Sequence, residues 1–194
     1  MKPLFVVLCL FLYACGGEAP PSPPDLAAEA PKTPPSEVET PTAEAVAIDN
    51  PYRISNGIFL GMRPGGKLEA FADGLRADVL QTGEGDFDVF YIDGAEGNEL
   101  GYLMADPNDE SLIGSISITA EEVVTEEGIS VGMTFAELEE KVGPVEVHGS
   151  EIEGYTYAYK YGLAYRLDVN FWSYEVDEAK IDPATKLLEI LVSR

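Results

Sequence analysis

The sequence predicts an α+β domain: an antiparallel sheet with short helices on one face, built as a tandem repeat of two helix-plus-strands units. Three observations predict it. Runs in which apolar residues alternate with others recur along the chain, as strands with two unlike faces require. One segment carries a full helix grammar, with a capping box at its start and Gly-Pro at its end. A phrase also repeats: Gly57, Ile58, Phe59, Leu60, Gly61, Met62 returns as Gly128, Ile129, Ser130, Val131, Gly132, Met133. Each copy is followed by a short helical segment, strand-like runs, an Asp-Pro turn and a closing strand.

Before the domain come two other segments. Lys2 and an apolar run from Leu4 to Tyr13 read as an export signal over residues 1–14, since a spanning helix needs roughly 20 apolar residues. Leu12, Tyr13, Ala14 and Cys15 sit at the expected cleavage point. Residues 15–51 then read as a lipidated Cys followed by a Pro-rich disordered tether. Nine of the fourteen prolines fall between Pro20 and Pro51, and no aromatic residue occurs from Gly16 to Asn50. Such a stretch buries too little apolar surface to offset its conformational entropy. Fully extended, it would reach on the order of 100 Å.

The globular domain is expected over 52–194, its halves at about 52–119 and 120–194. In the first half, Leu68, Phe71 and Leu75 mark a helical face after Pro64, Gly65 and Gly66. Phe87 to Ile92 and Leu100 to Met104 are strands around the acidic, glycine-containing Asp93 to Glu99, and Asp106-Pro107 turns into the closing strand Leu112 to Ile118. In the second half, Thr134 and Glu137 form the capping box, with Phe135, Leu138 and Val142 at i, i+3 and i+7. Gly143 and Pro144 end that helix of about nine residues, which is too short to stand alone and must dock on a sheet. Tyr155, Tyr157, Tyr159 and Tyr161 alternate with Thr156, Ala158 and Lys160. Gly162 marks a turn into Leu163, Tyr165, Leu167 and Val169, and Asp182-Pro183 leads to the last strand, Leu187 to Val192.

Charge and cysteine content narrow the function classes. Residues 52–194 hold 28 Asp and Glu against 10 Lys and Arg, a net charge of −18. A field of that sign repels nucleic acid and anionic lipid headgroups. Cys9 lies inside the signal and Cys15 at its end, so the domain has neither a thiol nor a disulfide.

Several resemblances bear on these residues. Cys15 and the residues before it resemble the lipobox of bacterial lipoproteins, although Tyr13 stands where that motif has a small or β-branched residue. The resemblance implies a diacylglycerol on the Cys15 thiol and an acyl chain, palmitate for example, on its amino group. With Gly16 rather than Asp following, it implies the outer membrane, with the domain's facing left open. The second-half phrase with Thr134, Phe135, Leu138 and Gly143, together with Tyr52, Arg53, Gly61 and Met62, resembles the uncharacterised RpoE-regulated lipoprotein family, a domain of unknown function. The string Gly-Met-Thr, helix, Gly-Pro is similar to the small lipoprotein subunit of the outer-membrane barrel assembly machine. The tandem form is similar to the secreted β-lactamase inhibitor proteins, whose disulfides are missing here. These resemblances imply protein-binding modules without catalysis.

The candidate sites agree with that direction. His148 is the single histidine, so a zinc site has no second imidazole and no cysteine to complete it; the residue is expected in an exposed loop. Asp86, Asp88, Asp93, Glu96, Asn98 and Glu99 offer oxygen ligands, and Asp106, Asn108 and Glu110 begin an alternation, but neither follows the EF-hand order. The stretch from Gly61 to Lys67 lacks P-loop spacing. No catalytic, metal or cofactor residue is assigned. The binding candidates are Tyr155, Tyr157, Tyr159, Tyr161 and Trp172, because exposed tyrosine and tryptophan combine large contact area with a polar tip; packing within the sheet is the competing reading. The expectation is a membrane-anchored envelope lipoprotein with a non-catalytic protein-binding or assembly module, an envelope protein as partner and no nucleic acid. A periplasmic hydrolase using carboxylates, or a small-ligand or calcium sensor, is the alternative.

Overall fold

A computed structural model describes residues 50–83 and 85–194. The expected signal, Cys15 and the tether up to residue 49 lie outside the described residues. The described chain opens with Asn50, whose side chain donates to Glu122 O (2.8 Å) and accepts from the Tyr52 amide.

Eleven strands and one α-helix are found among the described residues. Three short strands, β1 (Arg53–Ser55), β2 (Ile58–Phe59) and β7 (Val124–Thr125), form a small sheet in the order β2-β1-β7. It ties the beginnings of the two halves together, because β1 runs antiparallel to β2 and parallel to β7. The remaining eight are β3 (Leu75–Thr82), β4 (Gly85–Asp93), β5 (Glu99–Asp106), β6 (Asp109–Ile118), β8 (Glu146–Gly149), β9 (Tyr155–Lys160), β10 (Leu163–Asn170) and β11 (Leu187–Val192). They make one antiparallel sheet in the order β3-β4-β5-β6-β11-β10-β9-β8. Two four-stranded meanders thus meet along their last strands, where Ser117 faces Leu191. The protein is α+β with strand predominating.

The helix α1 (Phe135–Val142) has the predicted chemistry. Thr134 Oγ1 accepts from the Glu137 amide (3.2 Å), and the Glu137 carboxylate accepts from the Thr134 amide (2.7 Å). Phe135, Leu138 and Val142 are buried, and Gly143 ends the helix at φ 73°. The first expected helix does not form. Leu68–Ala70 and Ala72–Gly74 are two 3-10 turns instead, and Leu75 belongs to β3. The physical reason lies in the entry: Gly65 takes a left-handed φ of 81°, and Gly65 and Gly66 exchange backbone hydrogen bonds with Ile113 of β6. This pins the chain to the sheet and leaves no length for an α-helix before β3 begins.

The two faces of the large sheet differ. One face packs against α1, the turns and the small sheet, through Leu103, Ile116, Ile118, Ala158, Tyr165 and Ile190 among others. The other carries the residues that alternate with these, and no helix lies on it among the described residues. Gly101 enables the close pairing at the sheet's middle, since a Cβ there would run into the Ser117 carbonyl.

Candidate binding face

The pairing registers place the aromatic and charged residues of the uncovered face in rows. Across the second half run Tyr157, Arg166 and Glu189, in direct register through β9, β10 and β11. Tyr159 pairs with Ala164, which pairs with Leu191. In the first half Arg76, Tyr91, Tyr102 and Ser117 stand side by side across β3, β4, β5 and β6. Ser117 then faces Leu191, so both halves contribute to one continuous surface.

At its centre is a cleft of about 450 Å³ lined by Leu80, Thr82, Tyr102, Tyr155, Tyr157, Arg166 and Glu189, with Met104, Ser115 and Ser117 among its other walls. Leu80 and Thr82 come from one edge of the sheet and Tyr155 and Tyr157 from near the other. Their meeting around one cleft requires the sheet to curl, which its right-handed twist favours.

The cleft holds an ion pair. Arg166 Nε lies 3.4 Å from Glu189 Oε2, with the Glu189 side chain 9% exposed. The contact is an ion pair without a hydrogen bond at Nε, and the guanidinium carbon also sits 5.1 Å from the centroid of the Tyr155 ring. Burial, reinforced by the negative charge of Glu189, raises the hydroxyl pKa of both Tyr102 and Tyr157. Both phenols therefore stay protonated at neutral pH and serve as neutral hydrogen-bonding groups. A second arginine sits toward the first edge: Arg76 lies 4.6 Å over the Tyr91 ring and bridges Asp93, Asp78 and Glu99.

The predicted aromatic stripe is divided by the structure. Tyr155, Tyr157 and Tyr159 lie on the uncovered face, while Thr156 and Ala158 between them are buried. Tyr161 leaves the stripe. It occupies the β9–β10 turn with φ 52°, followed by Gly162 at φ 76°, the positive pair that a two-residue hairpin turn demands. Trp172 is 64% exposed on the loop after β10, and its indole lies over Gly154, where a Cβ would stand 2.7 Å from it. His148 is on β8 rather than in an exposed loop, stacked on Tyr174 at 4.3 Å and tilted against Tyr159 at 5.6 Å. Tyr157 and Tyr159 (6.3 Å) extend that aromatic row toward the cleft.

The acidic neighbourhoods are spread apart. Asp93 and Glu99 face Arg76, Asn98 pairs with Glu122, and Asp106 holds the Asn108 amide and Arg194. Among the described residues no three His, Cys, Asp or Glu side chains converge as metal ligands would. Sequence reasoning missed Tyr91, Tyr102, Arg166 and Glu189. A signal was present for the last two: each is a charged residue inside an apolar strand, Leu-Ala-Tyr-Arg-Leu and Leu-Leu-Glu-Ile-Leu, a placement that calls for a partner.

No protein-family model matches the chain, and no curated protein sequence matches it. Among solved structures, it is similar to the crystal structure of the uncharacterized protein YfeY from Escherichia coli, with 15% sequence identity and a TM-score of 0.50. The match covers 73% of this chain and 99% of that one. At that identity the likeness is one of fold.

Proposed function

We propose that this chain is a membrane-anchored envelope lipoprotein whose domain binds a protein partner through the uncovered face of its sheet and catalyses nothing. The observation that carries this reading is the face itself: Tyr102, Tyr155 and Tyr157 line the cleft with the Glu189–Arg166 pair, Tyr91 and Tyr159 extend the same face to either side, and among the described residues no helix lies over them. Tyrosine and arginine are the residues that dominate protein interfaces, and here they are held rigidly on strands. The carboxylates with lowered pKa argue for structural roles. Asp109 is held by the Ser111 hydroxyl and amide in a turn, and Glu137 by the Thr134 amide and hydroxyl in the helix cap. One observation favours the small-ligand reading, since about 450 Å³ is a volume that a metabolite-sized molecule fills. Calorimetry would distinguish the two: loss of partner binding in a Tyr157→Ser, Tyr159→Ser protein supports the face, whereas partner binding that survives those changes, together with saturable uptake of a metabolite-sized molecule that Arg166→Met abolishes, would move the assignment from the face to the cleft.

The address belongs to the same proposal. Lipidation at Cys15 and outer-membrane anchoring rest on the lipobox-like residues, and the resemblance to the RpoE-regulated lipoprotein family points the same way. Labelling with radioactive palmitate should mark the wild-type protein, and Cys15→Ser should be unlabelled and recovered in the soluble fraction. A Cys15→Ser protein that stays membrane-bound after signal cleavage would refute the anchor.

The tandem organisation is proposed in a changed register. The repeated glycine phrase aligns residues 71 apart, but matching backbone hydrogen bonds support a spacing of 67 around the helical segment. Gly65 and Gly132 both take left-handed φ values, of 81° and 84°, and donate to a carbonyl of the closing strand, that of Ile113 or Leu187. Gly66 donates to Arg63 as Met133 does to Ser130. Leu68, Phe71 and Leu75 then correspond to Phe135, Leu138 and Val142. Each unit so defined is a helical turn or helix followed by a four-stranded meander, the two joined through β6 and β11.

A further inference from the structure

The helix-side face of the sheet is covered unequally at its two ends. α1 buries Phe135, Leu138 and Val142 in the core, whereas none of the residues in the two 3-10 turns is buried. Below those turns Ala77 and Val79 of β3 remain exposed, Val79 by 44%. An apolar groove of about 340 Å³ results, lined by Leu68, Ala72, Leu75, Ala77 and Phe90 and closed by Glu69 and Glu110. Past Phe90 and Glu110 it continues into a second depression that contains Asp88 and Asp106.

The sheet edge beside this groove is open. β3 pairs with β4 alone, while the opposite edge strand β8 is overlaid by the chain after β10, where Gly149 donates to Tyr174 O and His148 bridges Glu175. The Val79 amide is held by its neighbour's side chain, Asp78 Oδ1, at 2.8 Å. That bond blunts the edge, as charged residues on edge strands do, without closing it. An edge of this kind recognises extended polypeptide through main-chain hydrogen bonds, and a pocket beside it selects alternate side chains.

We infer that β3 and its groove accept an extended segment of a partner polypeptide as a ninth strand, whose groove-facing side chains are apolar beside Leu75 and Ala77 and a Lys or Arg where the groove turns acidic at Glu110 and Asp88. Charge complementarity commits the occupant. The groove is apolar along Leu68, Ala72, Leu75 and Ala77 and acidic at Glu110 and Asp88 on the same face, so it fits a strand whose groove-facing positions run from apolar to basic. A second copy of this chain would instead bring a domain of net charge −18 against another of the same sign. The surface lies on the opposite face of the sheet from the tyrosine cleft, so it stands or falls apart from the function proposed above.

The test uses the full chain and a synthetic ten-residue peptide in which serine alternates with valine, valine, valine, lysine and lysine, so that one face is apolar and then basic. Fluorescence anisotropy should show saturable binding, and hydrogen exchange should show slower exchange of the amides from Leu75 to Val79. The same peptide with glutamate in place of both lysines, and the lysine peptide N-methylated at every second residue, should each bind about tenfold more weakly or worse. Val79→Lys places a like charge on an exposed edge position, so the fold should persist and the affinity should fall by about tenfold. The inference is overturned by an absence of binding, by equal affinity for the N-methylated peptide, by protection at Tyr155 to Tyr159 instead of β3, or by sedimentation showing that β3 is covered by a second copy.

Discussion

Glu189 illustrates how one side chain can organise a surface. It is flanked by Leu187 and Leu188 on one side and Ile190 and Leu191 on the other, and its carboxylate is taken out of water beside Arg166. Removal of the guanidinium leaves that charge uncompensated, and Arg166→Met should cost about 2 kcal/mol, below the range for fully buried pairs because a quarter of the arginine is exposed. Urea denaturation would read that loss, and an Arg166→Met protein as stable as the wild type would contradict a stabilising role for the pair. Gly154 offers a second test. Its φ of 72° and the indole above it both oppose a side chain, so Gly154→Ala should cost about 1–2 kcal/mol. It should also shift the emission of Trp172, the single tryptophan; unchanged fluorescence would mean that the indole does not rest there.

The helix and the first edge strand show why some elements could be read from the sequence and others could not. α1 was legible because its grammar is local: Thr134, Glu137, Gly143 and the apolar positions between them act within a few residues of one another. Thr134→Ala should cost about 1 kcal/mol. Glu137 sits below the ordinary carboxylate range because the Thr134 amide and hydroxyl donate to it, so its contribution is complete above the unfolded value near 4.3 and is lost as pH falls through the folded one. Glu137→Gln should flatten the stability–pH curve in that acid range, and an unaltered slope would contradict the cap. β3 was not legible. Leu75, Ala77 and Val79 do alternate with Arg76 and Asp78, but Leu80 breaks the pattern and Leu75 also completes a helical spacing with Leu68 and Phe71. Tertiary hydrogen bonds, from the Gly65 amide to Ile113 O and from the Ile113 amide to Gly66 O, decide between the two readings, and such long-range bonds leave no local trace.

For the molecule as a whole, the curl of the sheet gathers residues that are far apart in the chain. Tyr155, Tyr157 and Tyr159 could be singled out from their alternation, whereas Tyr102, Arg166 and Glu189 acquire meaning only through the pairing of β5, β6, β11, β10 and β9. An anchor at Cys15 followed by a Pro-rich tether would confine this face near one membrane surface and raise its effective concentration against neighbouring envelope proteins. Photocrosslinking in intact cells therefore tests the proposal most directly, with a photoreactive residue placed at Tyr159 on the face or at Glu140 on the exposed side of α1. Capture of the same discrete envelope protein from Tyr159, its loss on Tyr157→Ser with the fold preserved, and no capture from Glu140 are the predicted results. Equal capture from both positions, or capture from Tyr159 that survives Tyr157→Ser unchanged, would contradict the assignment of the uncovered tyrosine face as the binding surface.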